Sequence, residues 1–197
     1  MSIVSYDVFI FLLGFQAQDI DQEVKERAIS CMGQIVAHLG DNLQQQLSAC
    51  LPIFLDRLKN EITRLTAVKA LILVASSPLR IDLRCILTDS LPVLASFLRK
   101  NQRALKLSSL QLLDTLAKNY PAALTVDTLG PVLAELPPLV SESDLHIAQL
   151  TLVLLTSISV SHRQVSAVPS VVVFLSLVTP GHSYNPQVRA ARGAEAS

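Results

Sequence analysis

Residues 19–40 read DIDQEVKERAISCMGQIVAHLG, and this stretch decides the fold because its pattern returns three more times along the chain. Val24, Ala28, Cys31, Met32, Ile35 and Leu39 recur at the 3.6-residue period on one face, while Glu23, Arg27, Ser30 and Gln34 share the opposite one. Asp21 stands before the first apolar residue, where its carboxylate can cap free amides. Gly40 follows the last, where a left-handed backbone would close the helix. The spacing predicts the second helix of a helical hairpin.

Working outward, proline followed by three apolar residues occurs at Pro52-Ile53-Phe54-Leu55, Pro92-Val93-Leu94-Ala95 and Pro131-Val132-Leu133-Ala134, spaced by 40 and 39. Lys59-Asn60 and Lys100-Asn101 lie 41 apart. The helices that follow align with Val24, Ile62, Ala104 and His146 in one column, each followed by small or apolar residues four and eight positions on. A period of about 40 residues with two helices per unit predicts an all-α solenoid of HEAT or armadillo type, with about four repeats. Each proline falls inside an apolar stripe, where it deletes a backbone bond and predicts a bend in the first helix of its unit.

Composition narrows the function classes. Charged residues are 16% of the chain against roughly 25% in typical soluble domains, which predicts partly apolar surfaces. Sixteen acidic and sixteen basic residues cancel without a basic block, so neither nucleic acid nor an anionic membrane is an expected partner. A protein is. The apolar runs from Val8 to Phe15 and from Val171 to Val178 fall far short of the roughly 20 residues of a spanning helix. Cys31, Cys50 and Cys85 are odd in number and embedded in helical patterns, which reads as reduced thiols of an intracellular protein. His38, His146, His162 and His182 are too dispersed for a metal site, and no glycine-rich loop suggests a cofactor or a small-molecule substrate.

The chain divides into a divergent start at 1–18, the solenoid at 19–160, a divergent apolar segment at 161–178 and a disordered tail at 179–197, rich in Pro, Gly and small polar residues. Leu43, Leu47, Cys50, Leu51, Phe54 and Leu58 form the stripe of the first complete hairpin, with Gln44, Gln45 and Ser48 outside. Its partner, Glu61 to Ala75, is apolar on nearly all sides except Thr63, Arg64 and Lys69. Leu83, Leu87, Leu91, Leu94 and Leu98 begin the third unit. In its second helix Arg103, Lys106, Asp114 and Lys118 line one side and Leu105, Ser109, Leu112 and Leu116 the other. The fourth unit is stopped by Pro137-Pro138 and resumes after Ser143 or Asp144. Leu65 and Leu112 are expected between neighbouring helices, and Gln44 and Lys106 are expected exposed.

Several of these runs carry a resemblance. DIDQEVKERAISCMGQIVAHLGDNL, LDRLKNEITRLTAVKAL, SFLRKNQRALKL and LAELPPLVSESDLHIAQ resemble the central HEAT repeats of the cullin-associated neddylation-dissociated proteins, also described as TATA-binding-protein-interacting proteins. The resemblance covers roughly 140 residues and leans toward the second, muscle-enriched paralogue. It implies a non-enzymatic assembly factor of the nucleus and cytoplasm. Such a factor wraps unneddylated cullin and RING subunits, promotes exchange of substrate receptors, and has TATA-binding protein as a further partner. No family contact motif maps onto this segment residue by residue.

The residues themselves offer Glu23, Arg27, Arg64, Arg103 and Lys106 as candidate partner-binding side chains, because they are the charges that interrupt helix faces. Two alternatives stand beside the interaction module: a truncated product without exchange activity, and an enzyme using Cys31 or Cys85. The second needs a base and an orienting acid beside the thiol, and the nearest histidine in sequence to Cys31, His38, is two turns along the helix. Ser141 and Ser143 beside Glu142 and Asp144 read equally as a phosphorylation site and as a capping signal.

Overall fold

A computed structural model describes residue 14 and residues 19–161. The expectations for 1–18 and for 162–197, the tail included, lie outside these residues. Seven α-helices and no strand are found among them: α1 (Gln22–Leu39), α2 (Gln44–Lys59), α3 (Arg64–Ala75), α4 (Arg84–Leu98), α5 (Arg103–Asn119), α6 (Val126–Val140) and α7 (Leu145–Ser161). Helices α2/α3, α4/α5 and α6/α7 are antiparallel hairpins preceded by α1, the second helix of a further unit. The first helices of the units, α2, α4 and α6, pack on one another as one layer; α1, α3, α5 and α7 form the other. The HEAT/armadillo-type solenoid read from the 40-residue period is the observed fold.

Local chemistry sets the helix starts. Asp21 accepts hydrogen bonds from the Glu23 and Val24 amides at 2.8 and 3.2 Å. Thr125 and Thr128 close a reciprocal capping box on α6, and the Asp144 carboxylate accepts from the His146 and Ile147 amides on α7. Each satisfies donors that the first helical turn leaves without partners. Asn60 turns the chain between α2 and α3 by accepting from the Ile62 amide. The core lies between the layers, with Ile29, Met32, Phe54, Leu58, Leu91, Leu94, Leu105 and Leu110 fully buried.

Four expectations are corrected. First, Gly40 is right-handed, with φ −63° and ψ −23°, and α1 runs on into a 3-10 turn over Gly40–Asn42. Its side of the turn is close to the next unit, because a Cβ would stand 2.3 Å from Cδ1 of Ile81 and that side chain would have to shift. Second, α6 does not stop at Pro137-Pro138 but continues to Val140. Pro52, Pro92 and Pro131, expected inside their helices, do lie within α2, α4 and α6 and are exposed. The carbonyls they leave without a helical donor, on Ser48, Thr88 and Asp127, are on exposed residues, and access to solvent there lowers the cost of an interior proline. Third, the buried face of α1 is rotated from the expected stripe: Ala28, Ile29, Met32, Gly33, Val36 and Ala37 are buried, while Val24, Cys31, Ile35 and Leu39 are half-buried. Small residues define this face, since Gly33 approaches Ala70 of α3 so closely that an added Cβ would stand 2.9 Å from the alanine Cβ. Fourth, Thr63 is fully buried and donates its hydroxyl to the Arg57 carbonyl at 3.0 Å, whereas Leu65 is only half-buried.

Candidate partner-binding surface

The surface available to a partner is what remains after the helices have joined, so the seams between repeats come first. Near the C-terminus of α1, α3 and α5, the carbonyls of Ala37, Ala75 and Ala117 fall in the last turn, where no helical donor follows. Each accepts from the next repeat: Ser77 Oγ donates to Ala37 at 2.5 Å, Asn119 Nδ2 to Ala75 at 2.8 Å, and Ser161 Oγ to Ala117 at 3.1 Å. The three alanines lie thirteen residues after Val24, Ile62 and Ala104. The column aligned from sequence is therefore the register in which the repeats stack. Arg80, held at φ 53°, donates to the Asn119 carbonyl at 3.1 Å and thereby ties the loop after α3 to the end of α5. A positive φ is uncommon for a long side chain, and this contact accounts for its use.

Toward the end of the solenoid the seams become charged. Arg103 of α5 pairs with Asp144 at 2.5 Å and Lys106 with Glu142 at 3.1 Å. Asp114 accepts from Lys118 at 2.6 Å and from Ser157 of α7 at 2.6 Å. Arg99 joins Glu135 at 2.6 Å. The charged side of α5 thus pairs with the next repeat, with Lys106 and Asp114 largely covered and Arg103 and Lys118 still open to solvent. The Arg103 hydrogen bond holds the Asp144 carboxyl below the usual carboxylate range.

The five candidate side chains consequently differ in availability. Glu23 and Arg27 lie on the outer face of α1 and pair with each other at 2.6 Å. Arg64 is 15% exposed, pairs with Glu61, and stands over the Phe97 ring at 5.8 Å in a cation–π contact. Lys106 is 13% exposed. Arg103 remains open beside its Asp144 partner.

The outer face of the odd-numbered layer is poor in charge at α3 and α7. The turn entering α3 carries Ile62, 50% exposed, and α3 itself half-buried Leu65 and Leu73 around Lys69. On α7 it carries Leu145, Gln149, Thr156 and Val160, with Leu145 and Val160 83% and 76% exposed. Helix α7 has no formal charge along its length, and apolar side chains in solvent at this density are a mark of contact surfaces. The low charge of the chain predicts partly apolar surfaces without placing them on this face. The signal present was the absence of charge from Leu145 to Ser161.

Chemistry at the cysteines is subdued. Burial pushes the Cys50 thiol up to about 11, so it stays protonated at neutral pH. Partial burial and then the Asp82 carboxylate raise that of the exposed Cys85. Reactive thiols need the opposite shift. Among the described residues no group of three or more His, Cys, Asp or Glu side chains is placed to hold a metal ion, and no helix is long and apolar enough to cross a membrane.

The chain was compared with known proteins. No family model matches it. It is 58% identical over 141 residues to Cullin-associated NEDD8-dissociated protein 1 of Drosophila melanogaster, covering 72% of this chain and 11% of that protein. With Cullin-associated NEDD8-dissociated protein 2 of Rattus norvegicus it shares 59% over 148 residues, covering 75% and 12%. With protein 1 of Arabidopsis thaliana it shares 47% over 135 residues, covering 68% and 11%. Among solved structures, an engineered protein superposes with a TM-score of 0.65 at 15% identity, over 88% of this chain and 73% of that one. A designed armadillo repeat protein superposes at 0.62 and 15%, over 75% and 63%; both bear on fold alone. With its sequence and its stacked hairpins on the page, the chain belongs to the family of Cullin-associated NEDD8-dissociated proteins, and it spans about one-ninth of the length of the relatives it matches.

Proposed function

We propose that this chain is a non-enzymatic interaction module that contacts an unneddylated cullin with its RING subunit through the outer face of the odd-numbered layer. The observation that carries the reading is the coincidence of family membership with a charge-poor face exposing Ile62, Leu145 and Val160. Glu23, Arg27 and Arg103 form the polar margin of that contact. Arg64 and Lys106 support it from within the seams. This chain matches about one-ninth of the length of family members named for cullin association, so it reaches one patch of an elongated partner and lacks the avidity of linked contacts. It binds cullin more weakly than a full-length relative and does not promote receptor exchange alone. Nuclear and cytoplasmic residence, and TATA-binding protein as a second partner, belong to the same reading.

The test is a titration of a purified cullin–RING complex against this chain, a full-length family member, and the chain carrying Ile62→Asp with Val160→Asp. Weak binding that the double substitution abolishes is the expected result. Binding equal to that of the full-length protein, or unchanged by the substitutions, overturns the reading. TATA-binding protein is titrated alongside.

A further inference from the structure

We propose that Ser141 is a phosphoacceptor for an acid-directed serine/threonine kinase, and that its modification acts on the junction between the third and fourth repeats. Both Ser141 and Ser143 lie exposed in the turn that joins α6 to α7. The structure separates the two readings that the sequence left equal. Asp144 caps α7, so neither serine is used as the cap, and neither hydroxyl has a partner among the described residues. By contrast Ser30, Ser48, Ser90, Ser96, Ser159 and Ser161 each donate to a backbone carbonyl.

Charge pattern selects Ser141 over Ser143. Among the described serines and threonines, Ser141 alone has a carboxylate three residues on, at Asp144, and it has a second at Glu142. A kinase whose substrate cleft is basic reads carboxylates that follow the acceptor, by the charge complementarity that guides other polar contacts. Ser143 is followed at the same distance by His146. Access comes from the segment before the turn. Pro137 and Pro138 occupy the last turns of α6, where two backbone amides that would hold the helix end are missing. The exposed turn at Ser141, rather than buried Leu139 or the Asp144 cap, is therefore the part that a cleft engages.

In the transfer, Ser141 Oγ forms a bond to the γ-phosphorus of ATP as the bond from that phosphorus to the bridging oxygen of ADP breaks. The hydroxyl proton passes to the kinase aspartate. The product places close to two negative charges at the C-terminal end of α6, beside Glu142, where the helix dipole is already negative. It also offers three oxygen acceptors to Lys106 and Arg103, which now hold Glu142 and Asp144. Competition for those two cations loosens the turn.

The test incubates the intact chain with casein kinase II and ATP, followed by intact mass and fragment-ion mapping. Expected is one phosphate on Ser141, lost in Ser141→Ala, kept in Ser143→Ala, and slowed at least tenfold in Asp144→Asn. Asparagine caps a helix as well as aspartate, so that variant keeps the fold, which circular dichroism checks. No incorporation, incorporation elsewhere, or a rate unchanged in Asp144→Asn overturns the proposal. Amide exchange of 145–150 in the modified chain is expected to rise at least threefold; unchanged exchange overturns the claim that the junction responds.

Discussion

The seam between α1 and α3 and the seam between α5 and α7 hold the same register by different means. The first is dry and close: Gly33 lies against Ala70, and the side-chain hydrogen bond that ties it is the one from Ser77 to the Ala37 carbonyl. The second keeps the equivalent carbonyl bond, from Ser161 to Ala117, and adds Arg103–Asp144, Lys106–Glu142 and Ser157–Asp114. Repeat stacking in this family therefore does not require one kind of interface. A shape match at small residues and a set of paired charges each fix a helix against its neighbour one repeat away. The two respond to different perturbations, since close packing is sensitive to volume and paired charges to pH and salt.

The largest effect is expected at Leu112→Ala. Leu112 is 1% exposed in the middle of α5, so its truncation removes apolar burial and leaves a cavity, for a loss of about 2 to 5 kcal/mol in urea unfolding. Gly33→Val probes the dry seam itself. The new side chain meets Ala70 within van der Waals distance, and overpacking of this kind costs about 1 to 3 kcal/mol. Lys106→Met comes next, at about 1 kcal/mol, because it leaves the Glu142 carboxylate without its cation. The exposure expected from sequence would have made this position neutral. A loss at Lys106 equal to that at Leu112 would break the ranking.

Acid gives the smallest effect and separates the seams. Because the Arg103 hydrogen bond depresses the folded value of Asp144, its contribution is complete above the unfolded carboxylate value of about 3.9 and is lost as pH falls through the depressed value. Asp82, lowered by hydrogen bonds from Arg84, follows the same sign. Lowering the pH from 5 to 2 should therefore loosen α7 while the α1–α3 seam, which among the described residues has no carboxylate ion pair across it, keeps its protection. Circular dichroism with site-resolved exchange follows both.

Much of the fold was legible because a solenoid repeats its evidence. The column through Val24, Ile62, Ala104 and His146 fell into place from spacing alone, and the stripe from Leu83 to Leu98 is buried throughout. What spacing could not supply was the third dimension of each helix face. Glycine and alanine at Gly33 and Ala37 carry little hydropathy, yet they are the residues that permit close approach, so the face of α1 was placed too far toward Val24 and Cys31. Proline signals were overread at Pro137 because a breaker this near a helix end removes only amides of the last turns. Arg103 and Lys106 looked like a solvated face. Their partners, Asp144 and Glu142, lie 41 and 36 residues on, at one repeat length, and a search for opposite charges at the repeat period would have found them.

The comparison of seams is tested most directly by native-state hydrogen exchange at neutral pH, in 0.05 M and in 1 M sodium chloride. Screening shortens the reach of charge to about 3 Å at the higher salt. The account predicts that amides of α7 exchange faster in 1 M salt while those of α1 and α3 are unchanged or slower. Equal acceleration in both seams, or acceleration confined to α1 and α3, would contradict it.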